Sequence, residues 1–372
     1  MPQQPTLRET TTESVHPPFA AVGYDKSAYK MTEQLGIILV ASPFDWLFAK
    51  GAIASCRHFM PQCPIQLIVD GEIDTTLAEQ NFGVQTVRAR DIENSQLRRL
   101  GFGWGTTKLL AFWVSTTETF LYLDSDAVLW GDLSDKLDMS GWDYVASIRK
   151  NQALDRETVE QWFFDVPFVE NHFPGWDWRS ASAHFFCPGV FAARKGAFEI
   201  EEYLSILRLD KRHPGKFKFG DMGFHNLMVF RGAERGSLRV DARDFQVIFP
   251  EHPREELQAR FAFTNTNAPI VRPGDEQVLH MPDHKPLVDS QACYSLPMTF
   301  FRLEYLRQTE GLVGPPAMSR LRQEDANYGQ LRREFLRRQR QRQILQLLSF
   351  HPGEWARVFR RVAKAFGKAG SQ

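Results

Sequence analysis

The chain has 372 residues, enough for one large domain with an appendage. Its 43 % hydrophobic content and 30 phenylalanines supply a core that needs no metal or disulfide staple. Cys56, Cys63, Cys187 and Cys293 lack the short paired spacing of a zinc site or disulfide framework, which fits a reducing compartment. No segment nears the ~20 apolar residues of a membrane span, and the Pro- and Thr-rich start lacks the charged and apolar regions of a signal peptide. A cytoplasmic protein, soluble or peripheral at a membrane, is expected.

In chain order, residues 36–41 and Ile65–Val69 are apolar runs ended by Ser42-Pro43 and Asp70-Gly71, which predict buried strands opening into loops. Trp46–Phe59 between them has helical length and spacing, and the order strand, helix, strand predicts a parallel sheet. Residues 107–115 predict a second helix, and Thr119–Leu123 a strand that stops at Asp124-Ser125-Asp126. Residues 143–148 and 189–193 predict later strands. The long aromatic stretch between these two, with Trp162, Trp176 and Trp178, suits the wall of a substrate pocket. Residues 200–207 and 223–230 predict helices, and residues 277–279 a short strand before His280.

Two carboxylates one residue apart, in a turn just after a buried strand, can approach one hard divalent cation and leave positions for diphosphate oxygens. Asp-x-Asp alone is more often a solvated loop. Its place at a strand end, where open α/β sheets bind ligands, and its single occurrence in the chain favour the metal role.

Around this turn stand Thr107-Lys-Leu-Leu-Ala-Phe-Trp-Val-Ser115, Phe120-Leu-Tyr-Leu-Asp-Ser-Asp-Ala-Val-Leu129 and Gly131-Asp-Leu-Ser-Asp-Lys-Leu137. Phe186-Cys-Pro-Gly-Val-Phe191, Gly220-Asp-Met-Gly223 and Leu279-His-Met-Pro-Asp-His-Lys-Pro286 come later in the chain. In composition and order these blocks give the chain a resemblance to glycosyltransferase family 8, a family of glycogenin-like GT-A nucleotide-sugar transferases. The resemblance implies an α/β fold of the GT-A, Rossmann-like, nucleotide-sugar-binding kind with a mostly parallel central sheet. It also implies a UDP-sugar donor, manganese or magnesium, and hexosyl transfer with retention to a glycan, lipid or small-molecule acceptor.

By position, the resemblance makes Asp124, Asp126 and His280 metal ligands and Asp221 the carboxylate near the anomeric carbon. Lys108 and Lys285 would meet donor phosphate or sugar, with Ser125 and Gly189 beside the donor. Phe44, Asp45 and Trp46 would hold uracil and ribose. The bland alternatives are a solvated helix-start lysine at 108, helix caps at Asp45 and Asp221, and core aromatics at 44 and 46.

Departures from the pattern bear on the chemistry. Cys187-Pro188 removes an amide that would contact sugar or acceptor, and Met222 replaces a glutamine. The last block is one residue short between His280 and Lys285, so either Lys285 points differently or His284 shares its role. An inverting transfer would need a general base, for which Glu170, Asp177 and His184 are candidates. A catalytically silent nucleotide-sugar or membrane-binding protein is the reading from another class.

Residues 330–372 carry eleven Lys/Arg against two Asp/Glu, within a chain of zero formal charge. Trp355, Val358, Phe359, Val362 and Phe366 recur at helical spacing among these cations, the pattern of a basic amphipathic helix suited to an anionic membrane surface. No nucleic-acid recognition fold accompanies the charge. The expected organisation is a flexible tail over 1–30, a catalytic domain over 31–295 and a helical basic extension over 296–372.

Overall fold

The computed structural model describes residues 34–103, 105–148, 153–274, 276–282 and 284–348. Two compact units divide between Leu312 and Val313. In the first, strands β1 (Leu35–Ala41), β2 (Ile65–Val69), β3 (Val84–Arg88), β4 (Thr119–Leu123), β6 (Tyr144–Ser147), β7 (Val190–Arg194) and β8 (Val240–Arg243) form a seven-stranded sheet. Its order is β3-β2-β1-β4-β7-β6-β8. All pairs are parallel except those of β7, which runs antiparallel to β4 and β6.

Helix α1 (Trp46–Phe59) joins β1 to β2 as the apolar spacing predicts. It lies against α11 (Leu296–Glu310) so closely that a Cβ on Gly51 would sit 2.4 Å from Met298 Sδ. That packing carries the first unit through Leu312. Helix α11 therefore falls with the sheet rather than with an extension beginning at residue 296.

Side chains alternate across the central strands. Phe120 and Tyr122 of β4, Tyr144 of β6 and Phe191 of β7 share one buried cluster, in which Phe191 stacks on Tyr122, Tyr144 and Phe112 at centroid distances of 4.9, 5.3 and 5.7 Å. Helices α8 (Ile200–Arg212) and α9 (Met222–Glu234) supply Tyr203, Leu204, Phe224 and Leu227 to the same cluster. The aromatic stretch between β6 and β7 folds as three short helices, α5 (Arg156–Trp162), α6 (Val166–His172) and α7 (Trp178–Ala181). It buries Phe163, Phe164, Trp176 and Trp178 in that cluster as well.

Residues 107–115 form a 3₁₀ turn, Thr107–Leu110, before the short helix α4 (Ala111–Val114). A second sheet has the order β5-β10-β9, from β5 (Ala127–Trp130), β9 (Gln246–Ile248) and β10 (Gln277–His280). Asp124-Ser125-Asp126 is the link from β4 in the large sheet to β5 in the small one.

The second unit, as described, is α12 (Gly314–Leu348), a 35-residue helix on which Arg332, Arg333 and Arg337 are exposed. The expected amphipathic stretch from Trp355 to Lys368 lies outside the described residues. Among those residues no helix is long and apolar enough to cross a membrane.

Candidate active site and metal centre

Strand register brings the site residues together. Leu123, the last residue of β4, pairs with Val190, and the Asp124 N–H donates to the Gly189 carbonyl at 2.8 Å. On the other side of the link, Ala127 pairs with His280 across the β5–β10 ladder. The two sheets thus deliver Asp124, Asp126 and His280 to one point, where a donor atom from each lies within 4.8 Å of the others. His280 Nε2 is 3.5 Å from Asp124 Oδ2 and 3.3 Å from Asp126 Oδ1, both outside hydrogen-bond geometry, and it is buried without another partner. Two carboxylates and an imidazole nitrogen facing one point form a donor set that fits manganese, and magnesium less well.

Lys108 joins this group to Asp221. Its Nζ lies 2.9 Å from Asp124 Oδ1, 2.9 Å from Asp221 Oδ2 and 3.2 Å from the Pro188 carbonyl oxygen. It is buried, not solvated. Burial alone would favour loss of its proton, but Asp124 and Asp221 outweigh that and hold the ammonium above its ordinary range. Asp221 occupies the N-cap position of α9, yet its carboxylate makes no capping bond and turns to Lys108 instead. Burial, only partly offset by Lys108, pushes Asp221 up to about 6.

At the other end Lys285 Nζ contacts Asp126 Oδ2 and lies 2.9 Å from the Pro282 carbonyl. Lys285 is thus the one of the two candidates that meets the carboxylate pair, while His284 packs edge-on against Phe249. Burial raises Asp124 and Asp126, but Lys108, Lys285 and His280 outweigh it and hold both below the usual carboxylate range. The same pair holds His280 charged against burial, so a divalent ion at this point would displace its proton.

The expected nucleotide pocket is only partly assembled. Asp45 does not cap α1; its Oδ1 accepts from the Ser42 N–H at 2.6 Å and the Ser42 hydroxyl at 3.0 Å. Burial pushes it up to about 6, with Asp126 contributing. Trp46 is half-buried and sits edge-on to Tyr305 of α11 at 6.4 Å. Phe44 is half-buried at the same turn, and Ser125 is buried in the link. Gly189 answers to His280, because a Cβ there would lie 2.1 Å from the ring's Cε1.

Cys187 Sγ lies 3.9 Å from His280 Nδ1, and Met222 opens α9 half-buried against the aromatic cluster. Asp177 caps α7. Glu170 accepts from Trp178 Nε1 and Arg179, and burial lowers the pKa of His184. Asp177 and Glu170 thus serve the helical insertion.

Two site residues escaped the sequence reading. The Tyr122 hydroxyl donates to Asp124 Oδ1 at 2.8 Å, its proton held by burial and by that carboxylate. Gln246 Nε2 lies 2.7 Å from His280 Nδ1, and Gln246 Oε1 is buried without a partner. Turned so that its carbonyl rather than its amino group meets the ring, Gln246 would accept Nδ1–H, and loss of the Nε2 proton to a metal ion would then leave that lone pair facing the carboxylates.

A family profile described as "Mannosyltransferase putative" matches residues 34–143. That span runs from β1 through β5 and contains Lys108, Asp124 and Asp126. No curated protein sequence matches the chain. Among solved structures it is similar to the galactosyltransferase LgtC in complex with donor and acceptor sugar analogues. Identity there is 13 %, over 76 % of this chain and 97 % of that one, with a TM-score of 0.44. The bifunctional glycosyltransferase WbbM is 11 % identical over 79 % and 52 % of the two chains, with a TM-score of 0.48. The glycosyltransferase GlyE of Streptococcus pneumoniae TIGR4 is 16 % identical over 80 % and 64 %, with a TM-score of 0.45. The family match is thus confined to the first strands and helices of a mostly parallel α/β core, from β1 through β5.

Proposed function

We propose that the protein transfers a hexosyl group from a nucleotide sugar to an acceptor hydroxyl, with retention, using a divalent cation held by Asp124, Asp126 and His280. The carrying observation is the bridge by which Lys108 contacts Asp124 and Asp221 at 2.9 Å each. It couples a metal-type donor set to a separate buried carboxylate. Asp45, Asp124, Asp126 and Asp221 against Lys108 and Lys285 leave two negative charges once His280 has given up its proton, the charge that a divalent cation cancels.

When bound, that cation supplies charge neutralisation and Lewis acidity at the diphosphate. Lys108 and Lys285 present ammonium groups where charge develops on the departing phosphate. Asp221, ionised above about pH 6, offers its carboxylate to the positive charge that grows at the anomeric carbon. Tyr122 fixes Asp124 and Gln246 orients His280. Retention is preferred to inversion because Glu170 and Asp177 are engaged within the helical insertion.

The donor is a UDP-hexose or, on the strength of the family match, a mannosyl nucleotide. A nucleotide-release assay with manganese and UDP-glucose, UDP-galactose, UDP-N-acetylglucosamine and GDP-mannose tests this. Release from at least one donor is expected, with the product anomer read by NMR. If none is bound or cleaved, the enzymatic proposal fails.

For residues 330–372 the proposal is attachment to an anionic membrane surface from the cytoplasm, each nearby Lys or Arg contributing about 1 kcal/mol. Its support is the basic and aromatic composition. Co-sedimentation with phosphatidylserine vesicles should be strong for the full chain and weak for a chain truncated after Gly329. Equal binding by both removes the proposal.

A further inference from the structure

Trp162 and Phe219 are the exposed aromatic residues among those whose side chains are described, at 38 % and 44 %. They touch each other: the rings stack with centroids 5.2 Å apart and planes 20° from parallel. The insertion has no shortage of buried places, since Phe163, Phe164, Trp176 and Trp178 all occupy them. Two solvent-facing rings side by side on an otherwise well-packed unit mark a contact surface.

The backbone builds this pair deliberately. Phe219 adopts the left-handed conformation at φ 50°, which bulky residues avoid unless neighbouring structure enforces it. Here the enforcement is a zipper of main-chain bonds. Lys218 N–H donates to the Phe163 carbonyl at 2.7 Å, Asp165 N–H donates to that of Lys216 at 2.8 Å, and Phe164 bridges Phe217. A Cβ on Gly223 would fall 1.7 Å from the Phe163 oxygen, so the start of α9 lies directly on the end of α5. Trp162 and Phe219 are thereby fixed together.

The pair lies next to the site along the chain. Asp221 N–H donates to the Phe219 carbonyl at 2.8 Å, so the ring stands two residues from the carboxylate proposed to face the anomeric carbon. An acceptor hydroxyl must reach that carbon. A pyranose acceptor has an apolar C–H face that suits a flat aromatic surface and a hydroxyl rim that stays in water. From these observations we infer that Trp162 and Phe219 form the acceptor subsite, a platform on which a saccharide ring stacks beside Asp221. This rests on the glycosyltransferase function proposed above.

Saturation-transfer NMR on the full-length protein tests it, with mannobiose, lactose, maltose and chitobiose as probes and UDP or GDP plus manganese present. Transfer to the ring C–H protons of at least one disaccharide is expected. It should be lost, with affinity down at least about tenfold, in the Trp162→Ala/Phe219→Ala variant. Trp162→Phe and Phe219→Tyr keep a flat ring and should retain binding. Nucleotide affinity of the double variant serves as the check on folding. No signal from any disaccharide, or a signal the double variant preserves, overturns the platform. Failure of the enzymatic proposal looks different: the unaltered protein then neither binds nor cleaves any nucleotide sugar, whatever the disaccharides do.

Discussion

The two ends of the Lys108 bridge are both buried carboxylate sites, yet they are built for opposite states. At the metal end, Asp124 and Asp126 face Lys108, Lys285 and His280, and these cations hold them below the usual carboxylate range. At the other end Asp221 has burial and Asp124 against it, with Lys108 and a backbone hydrogen bond in its favour, and it is pushed up to about 6. Separating acidic groups in this way is how one pocket assigns different tasks to identical side chains. The metal end is an anion kept ready for a cation; Asp221 is a carboxylate close to neutralisation, whose charge gains most when positive charge develops nearby.

The largest test removes the metal end. Asp124→Asn and Asp126→Asn should each lower turnover on the order of 10³-fold and abolish saturable manganese binding. Calorimetric titration and nucleotide release measure the two effects. If either variant turns over normally, the donor set has been misassigned.

Breaking the bridge comes next. Lys108→Met leaves two carboxylates facing a buried apolar chain, and loss of one partner of a buried pair costs about 3 kcal/mol. The Lys108 side chain is 8 % exposed and that of Asp221 10 %, so solvent offers little relief. Urea unfolding of the metal-free protein should show the loss. A change below about 1 kcal/mol would mean that the two ends are independent.

How much of this was legible in the sequence follows from how local each determinant is. Strands β1, β2 and β4 and helix α1 were legible because continuous apolar runs end in Pro, Gly or Asp. Asp124, Asp126, His280 and Lys108 were legible as motif residues, and strand register brings them together. Gln246 was not: it opens a three-residue strand and acts through a parallel ladder that its own sequence does not announce. Tyr122 lies inside a buried strand and reads as core. Asp45 and Asp221 each precede a helix, where capping is the local expectation, and tertiary partners redirected both.

Asp221 gives a sharper, smaller test. Asp221→Asn should cost roughly 10²-fold in turnover while leaving manganese affinity intact. In the unaltered protein the rate should rise as pH passes about 6, where Asp221 ionises, and then level off. The stability slopes run oppositely. A raised carboxyl contributes stability that is fully present below its unfolded value near 3.9 and is lost as pH rises through about 6. Depressed Asp126 contributes stability present above ~3.9 and lost as pH falls. Lys108 and Asp124 are the charged groups facing Asp221, while burial keeps His225 and Tyr144 neutral. If the acid limb persists in Asp221→Asn, Asp45, also raised to about 6, is its source and the assignment fails.

The smallest expected effect concerns orientation at the metal end alone. Gln246→Leu keeps the volume of the buried side chain but removes the amide that meets His280 Nδ1, so the ring loses the polar partner that orients it. Such outer partners are worth about 10–100-fold in metal affinity. Manganese titration of the nucleotide-free protein should show a loss of that size, with Gln246→Glu retaining tighter binding because its carboxylate still accepts. Asp221 is remote from this contact, so the position of the acid limb near pH 6 should not move. Unchanged manganese affinity in Gln246→Leu would mean that the strand pairing of His280 with Ala127 and its close fit against Gly189 fix the ring without help.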